Sequence, residues 1–205
     1  MTPDFWPQAV AELSRRDPVM AELTRRYHGV ALVSRGEPFV TLVRSIVGQQ
    51  ISVKAADSVW RKIQAAFPEL TPDRILNAEA PDLRACGLSA RKTEYLGDLA
   101  RHFQENRIHI EQWSTMSDAE LIAELTSVRG IGVWTAEMFL IFNQLRPDVW
   151  PVDDIGLQKA VARFFFQGER PSRQHLHACG ERWRPWRSVA TWYLWRSLDP
   201  LPVEY

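Results

Sequence analysis

The chain has 205 residues, of which 45% are hydrophobic, and this length is sufficient for one or two domains with a buried core. Its 25 basic and 25 acidic residues give a formal net charge of zero, which excludes attraction of a polyanion through a broad positive field. No segment is long and apolar enough to span a membrane, and the first residues lack the basic and apolar regions of a secretory signal. We therefore expect a cytoplasmic protein without a membrane partner.

The two cysteines, Cys86 and Cys179, are too few for a disulfide framework. They are also too few for an iron–sulfur cluster held by four cysteines. Because an isolated cysteine usually behaves as a small apolar side chain, both are expected to be reduced thiols in the core.

Capping residues and prolines mark the helices in the first half of the chain. A helix is predicted from Pro38 to Val47, where Gly48 ends it. Further start signals are Ser52, Thr71 followed by Pro72, Pro81 and Ser89. The helix after Ser52 is expected to bury one face, formed by Val53, Ala56, Val59, Ile63 and Phe67.

The second half of the chain shows the same kind of signals. Ser117 and Glu120 have the spacing of a capping box, and a further helix is predicted to begin near Asp153 and Asp154. Pro171 and Pro185 are expected to open the last two helices. No alternating strand pattern extends beyond a few residues, so the sequence predicts an all-α fold.

A short turn between two of these predicted helices is a candidate anion site. Gly130-Ile131-Gly132 separates a helix with buried Leu125 from one that contains Ala136. Glycines permit a positive φ and a close approach of the backbone to a ligand. The first N–H groups of the second helix have no partner within the helix, and the helix dipole favours an anion there. A phosphate group fits this turn, although Gly-x-Gly also occurs in turns that bind nothing.

Four separated segments carry a resemblance to a known family. They are the turn with its Thr135-Ala136 continuation and the downstream Pro151–Asp154, then Arg44–Ser52, Gly87–Lys92 with Tyr95-Leu96, and Arg182–Ser188 running to Trp195. In their order along the chain they resemble the helix-hairpin-helix DNA glycosylase superfamily. Within it, the chain is most similar to the 3-methyladenine DNA glycosylase II family, in a short form without the N-terminal mixed α/β domain of some members.

The resemblance implies a fold and a partner. It implies one DNA glycosylase unit over residues 1–205, built as a two-lobed helical body with the active site in the cleft between the lobes. Residues 38–146 would form the hairpin lobe, and residues 1–37 with 147–205 the second lobe. The implied partner is double-stranded DNA containing alkylated bases, bound by a monomer that acts in base excision repair.

The resemblance also implies a catalytic carboxylate at the Asp pair. A carboxylate offsets the positive charge on a sugar that approaches an oxocarbenium ion, and it can orient water. The family's catalytic Asp begins a helix, and apolar positions follow Asp154 at Leu157, Ala160 and Val161 as they do in the family. Asp154 is therefore our choice and Asp153 the second choice. Without the resemblance, both carboxylates are ordinary helix caps.

The base pocket implied by the resemblance is largely aromatic. Trp195 and Trp134 match positions that face a flipped base, and Met138 and Ile155 match further pocket positions. An indole face attracts the positive ring of an alkylated purine. Trp183 and Trp186 are instead expected to pack in the core. Because Trp134 stands where bifunctional relatives carry a nucleophilic Lys, we expect water as the nucleophile and no lyase activity.

Contacts with the DNA backbone are implied at the hairpin, through Gly130, Ile131, Gly132 and Thr135. Gln50 falls where relatives insert a wedge into the gap left by the flipped base, although it also fits a polar cap at a helix end. The backbone carbonyls of Thr126, Val128 and Ile131 match a monovalent-cation site, for K⁺ or Na⁺. No other cofactor is expected.

Two other functions remain open at this point. One is a helix-hairpin-helix glycosylase for oxidised or mismatched bases, which the absent Lys and cluster cysteines disfavour. The other is a non-catalytic DNA-binding module that keeps the hairpin for phosphate contacts. Asp154 and the tryptophans argue against such a module, because binding alone requires neither.

Overall fold

The computed structural model describes residues 2–198, and within that range it is helical without a β-strand. The all-α prediction is therefore confirmed. The helices are α1 (Trp6–Arg16), α2 (Pro18–Arg26), α3 (Pro38–Gly48), α4 (Val53–Ala66), α5 (Pro72–Asn77), α6 (Ala80–Ala85), α7 (Ala90–Gln104), α8 (Asp118–Thr126), α9 (Val133–Phe142), α10 (Ile155–Phe165), α11 (Arg173–Glu181) and α12 (Arg187–Leu198). A short 3-10 helix lies at Ile110–Gln112. Met1 and residues 199–205, which include the end of the expected second lobe, lie outside the described residues.

The predicted caps explain where several of the helices begin. Ser52, Thr71 and Ser89 each accept a hydrogen bond from a backbone N–H in the first turn of the helix that follows. Ser117 and Glu120 form the expected capping box at α8. The last two predicted starts are slightly early, because Ser172, and not Pro171, caps α11, and α12 begins two residues after Pro185.

The described residues divide into two compact units. One contains the residues up to Ser34 and those from Leu140 onward, and the other is Arg35–Phe139, so the division falls within α9. The assignment of residues 38–146 to one lobe and of 1–37 with 147–205 to another stays a prediction. No described helix combines the length and apolar character that crossing a bilayer requires.

The first unit has an aromatic core. α1 packs against α2 and α12, and α10 packs against α11 and α12. Trp183 is fully buried, and its indole N–H donates to the Asp17 carboxylate at 3.1 Å. Trp186 is also buried, and its N–H donates to Glu12 at 3.0 Å. The expected core role of these two tryptophans is confirmed.

The second unit is organised around α7, which packs against α3, α5 and α6. The ring of Phe103 on α7 meets that of Phe39 on α3 edge-on, with centroids 5.1 Å apart. The predicted face of α4 is partly wrong. Trp60 and Ile63 form the buried part, whereas Val53 at the first turn is 48% exposed.

The two cysteines lie one in each unit, and both are buried thiols, as expected. Burial raises the pKa of both Cys86 and Cys179, because the thiolate form loses its hydration. Neither environment favours a reactive thiolate, so both residues serve as small core side chains.

Candidate functional site

Asp154 is the N-cap of α10. Its Oδ1 accepts hydrogen bonds from the Leu157 N–H at 2.6 Å and from the Trp195 indole N–H at 2.8 Å. Only 9% of the residue is exposed, and the positive end of the helix dipole lies beside its carboxylate. The sequence predicted the cap, but not the second donor, which comes from a residue 41 positions away. Together the two donors fix the orientation of this carboxylate.

Asp153, the second choice for catalysis, has a different environment. Its side chain is 55% exposed and forms an ion pair with Arg173, which is also exposed. An exposed ion pair contributes little to stability, and water screens its charge. Of the two neighbouring carboxylates, only Asp154 is both buried and held in one orientation.

Trp195 lies against Asp154 and is itself held in place. Its ring stacks on that of Phe142, with centroids 5.6 Å apart and an angle of 13° between the planes. A Cβ on Gly156 would lie 3.1 Å from Asp154 Oδ1 and 3.2 Å from the Trp195 ring. The absence of a side chain at Gly156 therefore permits the close approach of indole and carboxylate. Sequence analysis missed Gly156 and Phe142, and the only signal was a glycine in the first turn of α10.

The loop before Asp154 is fastened to α11 and α12. The Arg187 guanidinium donates to both carboxylate oxygens of Asp148, at 2.7 and 3.1 Å, and to its backbone carbonyl. Ser188 Oγ accepts from the Val149 N–H at 2.9 Å, and the Trp150 indole donates to the Leu176 carbonyl. The same helix, α12, carries Trp195. The segment from Arg182 to Trp195 thus binds the loop before Asp154 and also supplies the indole that contacts its carboxylate.

The other expected pocket residues differ in exposure. Ile155 follows Asp154 directly and is 67% exposed, so it offers an apolar surface next to the carboxylate. Met138 on α9 is only 5% exposed, and its side chain presents little surface to a ligand. Trp134, also on α9, is partly buried. Their expected roles in base recognition stay predictions.

The two hairpin positions, Gly130 and Gly132, suit glycine for different structural reasons. Gly130 has a φ of +89°, and a Cβ there would lie 2.2 Å from the ring of Tyr95. Gly132 does not have a positive φ, and apart from its two chain neighbours no described residue has an atom within 4 Å of a Cβ built on it. Gly130 is thus required by the fold itself, whereas the open space at Gly132 suits the close approach of an external group.

Buried side chains and a hydrogen bond to α7 hold the hairpin backbone in place. Val128 and Ile131 are buried, and the Arg129 N–H donates to the Asp98 carboxylate at 2.9 Å. Burial acts to raise the pKa of Asp98, but hydrogen bonds from Arg129 and Arg101 and nearby positive charge outweigh it and hold the pKa below its ordinary value. The Asp98 carboxylate is therefore ionised at neutral pH and anchors the turn.

Thr135, expected to contact DNA, has a buried side chain. Because this side chain faces the protein interior, a contact with phosphate is available to Thr135 only through its backbone N–H in the first turn of α9. Sequence analysis did not distinguish these two kinds of contact. The physical reason is that burial of a side chain depends on tertiary packing, whereas the position of its backbone in the first turn of a helix is local.

Gln50 lies just beyond the end of α3 in a strained conformation. Its φ is +57°, which is uncommon for a residue with a side chain, and the residue is exposed. The neighbouring Gln49, and not Gln50, is the C-cap of α3, which disfavours the alternative role of Gln50 as a helix-end cap. Strained backbone of this kind persists only where the surroundings hold it, and it is concentrated at functional sites.

The surroundings that hold Gln50 come from α7 and the hairpin. Lys92 Nζ donates to the carbonyls of Val47 at 2.7 Å and Gln49 at 2.8 Å. The Gln49 side chain in turn donates from Nε2 to the Gly130 carbonyl at 2.8 Å. Burial lowers the pKa of Lys92, because the charged ammonium loses hydration. Sequence analysis missed the role of Gln49, because nothing in a local pattern reveals a partner 81 residues away.

The possible cation ligands are three backbone carbonyls at the hairpin. The Val128 carbonyl also accepts a hydrogen bond from the Ile131 N–H at 3.1 Å, and a carbonyl oxygen has a second lone pair. Carbonyl oxygens suit K⁺ or Na⁺. No cluster of His, Cys, Asp or Glu with metal-binding geometry occurs in residues 2–198.

Comparison with known proteins assigns a family to this arrangement. Residues 43–185 match the family described as HhH-GPD superfamily base excision DNA repair protein. The DNA-3-methyladenine glycosylase 1 of Schizosaccharomyces pombe is 32% identical over 184 residues, covering 87% of this chain and 80% of that protein. The DNA-3-methyladenine glycosylase of Bacillus subtilis is 26% identical, and the match spans 66% of its length.

Solved structures of similar proteins share the fold. The S. pombe enzyme in complex with abasic DNA superimposes with a TM-score of 0.81 over 97% of this chain and 99% of that chain, at 30% identity. A DNA-3-methyladenine glycosidase from Bacillus halodurans gives a TM-score of 0.82 at 32% identity, over 93% and 87% of the two chains.

Proposed function

Because the chain belongs to the HhH-GPD superfamily of base excision DNA repair proteins, we propose that it is a DNA glycosylase that excises alkylated purines from duplex DNA. The substrates proposed are purines methylated at N3 or N7, such as 3-methyladenine and 7-methylguanine. The names of the similar yeast and bacterial enzymes, and the abasic DNA in the S. pombe complex, support this substrate class. The reaction is hydrolysis of the N-glycosidic bond after the nucleotide is flipped out of the duplex.

The contrast between two adjacent carboxylates carries the proposal. Asp154 is buried, lies at a helix N-terminus and is oriented by the Trp195 indole, whereas Asp153 is exposed and paired with Arg173. A carboxylate that stabilises a developing positive charge acts best in a fixed orientation, away from water. We therefore assign catalysis to Asp154.

The mechanism follows from the charge of the substrate. An alkylated purine ring carries a positive charge, which makes it a good leaving group without strong protonation by the enzyme. As the bond to the base breaks, positive charge develops on the sugar, and the Asp154 carboxylate offsets it. The carboxylate then orients or deprotonates the water that attacks the sugar. The exposed Ile155 and the Trp195 ring supply apolar and aromatic surface next to this carboxylate.

The absence of a lyase step is a further part of the proposal. Trp134 occupies the hairpin position of the nucleophilic Lys in bifunctional relatives, and an indole nitrogen cannot form a Schiff base. Water is therefore the nucleophile, and the product is an intact strand with an abasic site.

The hairpin and the Gln50 turn are proposed to bind the DNA backbone and the gap in the duplex. The first N–H groups of α9 and the open space at Gly132 suit a phosphate. The carbonyls of Thr126, Val128 and Ile131 would hold K⁺ or Na⁺, whose charge would attract the same phosphate. Gln50 would fill the space left by the flipped nucleotide.

The test uses duplex DNA treated with a methylating agent. We expect the protein to release 3-methyladenine and 7-methylguanine, identified by chromatography, and to leave strands that break only after alkali. Binding without release would indicate a DNA-binding module. Release only from a parallel duplex that contains oxidised bases would indicate a different glycosylase. Strand breaks without alkali, or an adduct trapped by borohydride, would show that an amine attacks the sugar.

A further inference from the structure

Three residues on one side of α7 reach the two segments proposed to contact DNA. Lys92 holds the end of α3 through the Val47 and Gln49 carbonyls. Tyr95 packs against Gly130, and Asp98 accepts from the Arg129 N–H. The spacing of three residues places these side chains on neighbouring turns of the helix. One rigid element thus supports both the Gln50 turn and the hairpin.

Gln49 connects these two segments directly. Its backbone carbonyl accepts from Lys92, and its side-chain amide donates to the Gly130 carbonyl at 2.8 Å. Gln49 precedes Gln50, whose φ of +57° requires support from its surroundings. A displacement of the hairpin at Gly130 is therefore transmitted through one side chain to the residue before Gln50.

We propose that Gln49, held by Lys92, is a positioning residue that couples the placement of the hairpin to the placement of Gln50. This inference rests on the proposed function, in which the hairpin binds phosphate and Gln50 fills the gap beside the flipped nucleotide. When the hairpin is seated on the backbone, Gln50 is already placed for insertion. Gln49 acts through Gln50 and does not itself contact the base that is released.

The mechanical part of the inference is testable without DNA. Gln49→Met keeps the length of the side chain but removes its donor, and Lys92→Met removes the ammonium at the other end of the connection. Hydrogen–deuterium exchange is compared for peptides covering residues 45–52 and 127–133. We expect exchange in both segments to accelerate about tenfold in either variant, because a partly buried connecting hydrogen bond is lost.

Matched controls exist in the same unit. Gln104 also donates from its side-chain amide, to Asp73 at 2.9 Å, but it lies outside both segments. Gln104→Met, and Lys62→Met on the exposed surface of α4, are expected to leave exchange in both segments unchanged. Acceleration confined to residues 45–52 in the Gln49 and Lys92 variants would overturn the coupling, because the hairpin would then be independent.

The functional part is tested by single-turnover release of 7-methylguanine. Gln49→Met is expected to slow release about tenfold through misplacement of Gln50, while the Kd for undamaged duplex changes less than about twofold. If Gln49 acts through Gln50, the double variant with Gln50→Ala releases base no more slowly than Gln50→Ala alone. A general loss of structure would instead weaken binding and lower the Tm.

The outcomes separate this inference from the proposed function. Losses that multiply in the double variant would show that Gln49 acts independently of Gln50, and the inference would be wrong. Wild-type protein that releases no base would overturn the proposed function, while the exchange experiment would still decide whether the two segments are connected.

Discussion

The segment around Asp154 and the hairpin around Gly132 use different chemical groups for their proposed roles. At Asp154, the candidate group is a side chain, and other side chains fix its position. Trp195 donates to the carboxylate, and Arg187 binds Asp148 in the preceding loop. At the hairpin, buried side chains and Asp98 hold backbone, and the group offered to a ligand is the peptide itself. The first segment carries a fixed charge, and the second carries the N-terminal backbone of α9 and an open surface at Gly132.

This difference determines which substitutions can test the proposed role of each region. A conservative substitution at Asp154 or Trp195 removes the proposed chemical group, and the fold is expected to be retained. At the hairpin the group offered to a ligand is backbone, so a direct test adds atoms to a glycine. The following predictions test this contrast.

The largest effect is expected for Asp154→Asn. The substitution removes the negative charge but keeps an oxygen able to accept from Leu157 and Trp195. We expect base release to fall by about 10²–10³-fold, because one electrostatic group acting in the transition state is lost. Binding to methylated duplex should remain. Asp153→Asn serves as the control and should retain most activity, and loss of activity in this variant alone would transfer the catalytic role to Asp153.

A large loss of stability is expected for Gly130→Ala. The methyl group would require a strained positive φ and would overlap the Tyr95 ring, at a total cost of about 2–5 kcal/mol. Gly36 has the same φ of +89°, but apart from its two chain neighbours no described residue has an atom within 4 Å of a Cβ built on it. Gly36→Ala should therefore lose only about 1–2 kcal/mol. Denaturant unfolding of both variants measures the difference, and equal losses would show that the Tyr95 contact is unimportant.

Trp195→Phe is expected to have an intermediate effect on base release. Phenylalanine can keep the stack on Phe142 but cannot donate to Asp154. Loss of a hydrogen bond to a charged group predicts a decrease of roughly tenfold to a hundredfold. Trp186→Phe removes a comparable indole-to-carboxylate bond, to Glu12, elsewhere in the same unit and should leave the rate of release nearly unchanged. A similar loss of release in both variants would indicate a general structural effect.

The smallest of these effects is expected for Gly132→Val. The added side chain enters open space, so the fold should be retained, but it obstructs the approach of a phosphate to the first turn of α9. We expect the Kd for undamaged duplex to rise about tenfold, with a weaker dependence on salt. Fluorescence anisotropy at several salt concentrations measures both quantities. Unchanged affinity would reduce the hairpin to a structural turn.

Much of the fold follows from local signals. The capping residues Ser52, Ser89 and Ser117 begin helices where their patterns predict, because a cap and its helix are adjacent in the chain. The N-cap position of Asp154 is predictable for the same reason. The apolar face of α4 was less predictable, because burial depends on which elements cover each turn, as the exposed Val53 shows.

The supporting contacts of the candidate site could not be predicted locally. The Trp195–Asp154 and Gln49–Gly130 hydrogen bonds join residues 41 and 81 positions apart. Gly156 and Gly130 are required by rings that pack on them, and such packing is visible only after folding. The sequence therefore predicts the group proposed to react, and the structure identifies the residues that hold it.

The most direct test of this division of roles compares Asp154→Asn with Gly132→Val on one methylated duplex. Both the Kd and the single-turnover rate at saturating protein are measured for each variant. The account predicts a crossed pattern, in which Asp154→Asn loses the rate and keeps the Kd, whereas Gly132→Val weakens the Kd and keeps the rate at saturation. Equal losses of Kd and rate in both variants, or the reverse pattern, would contradict it.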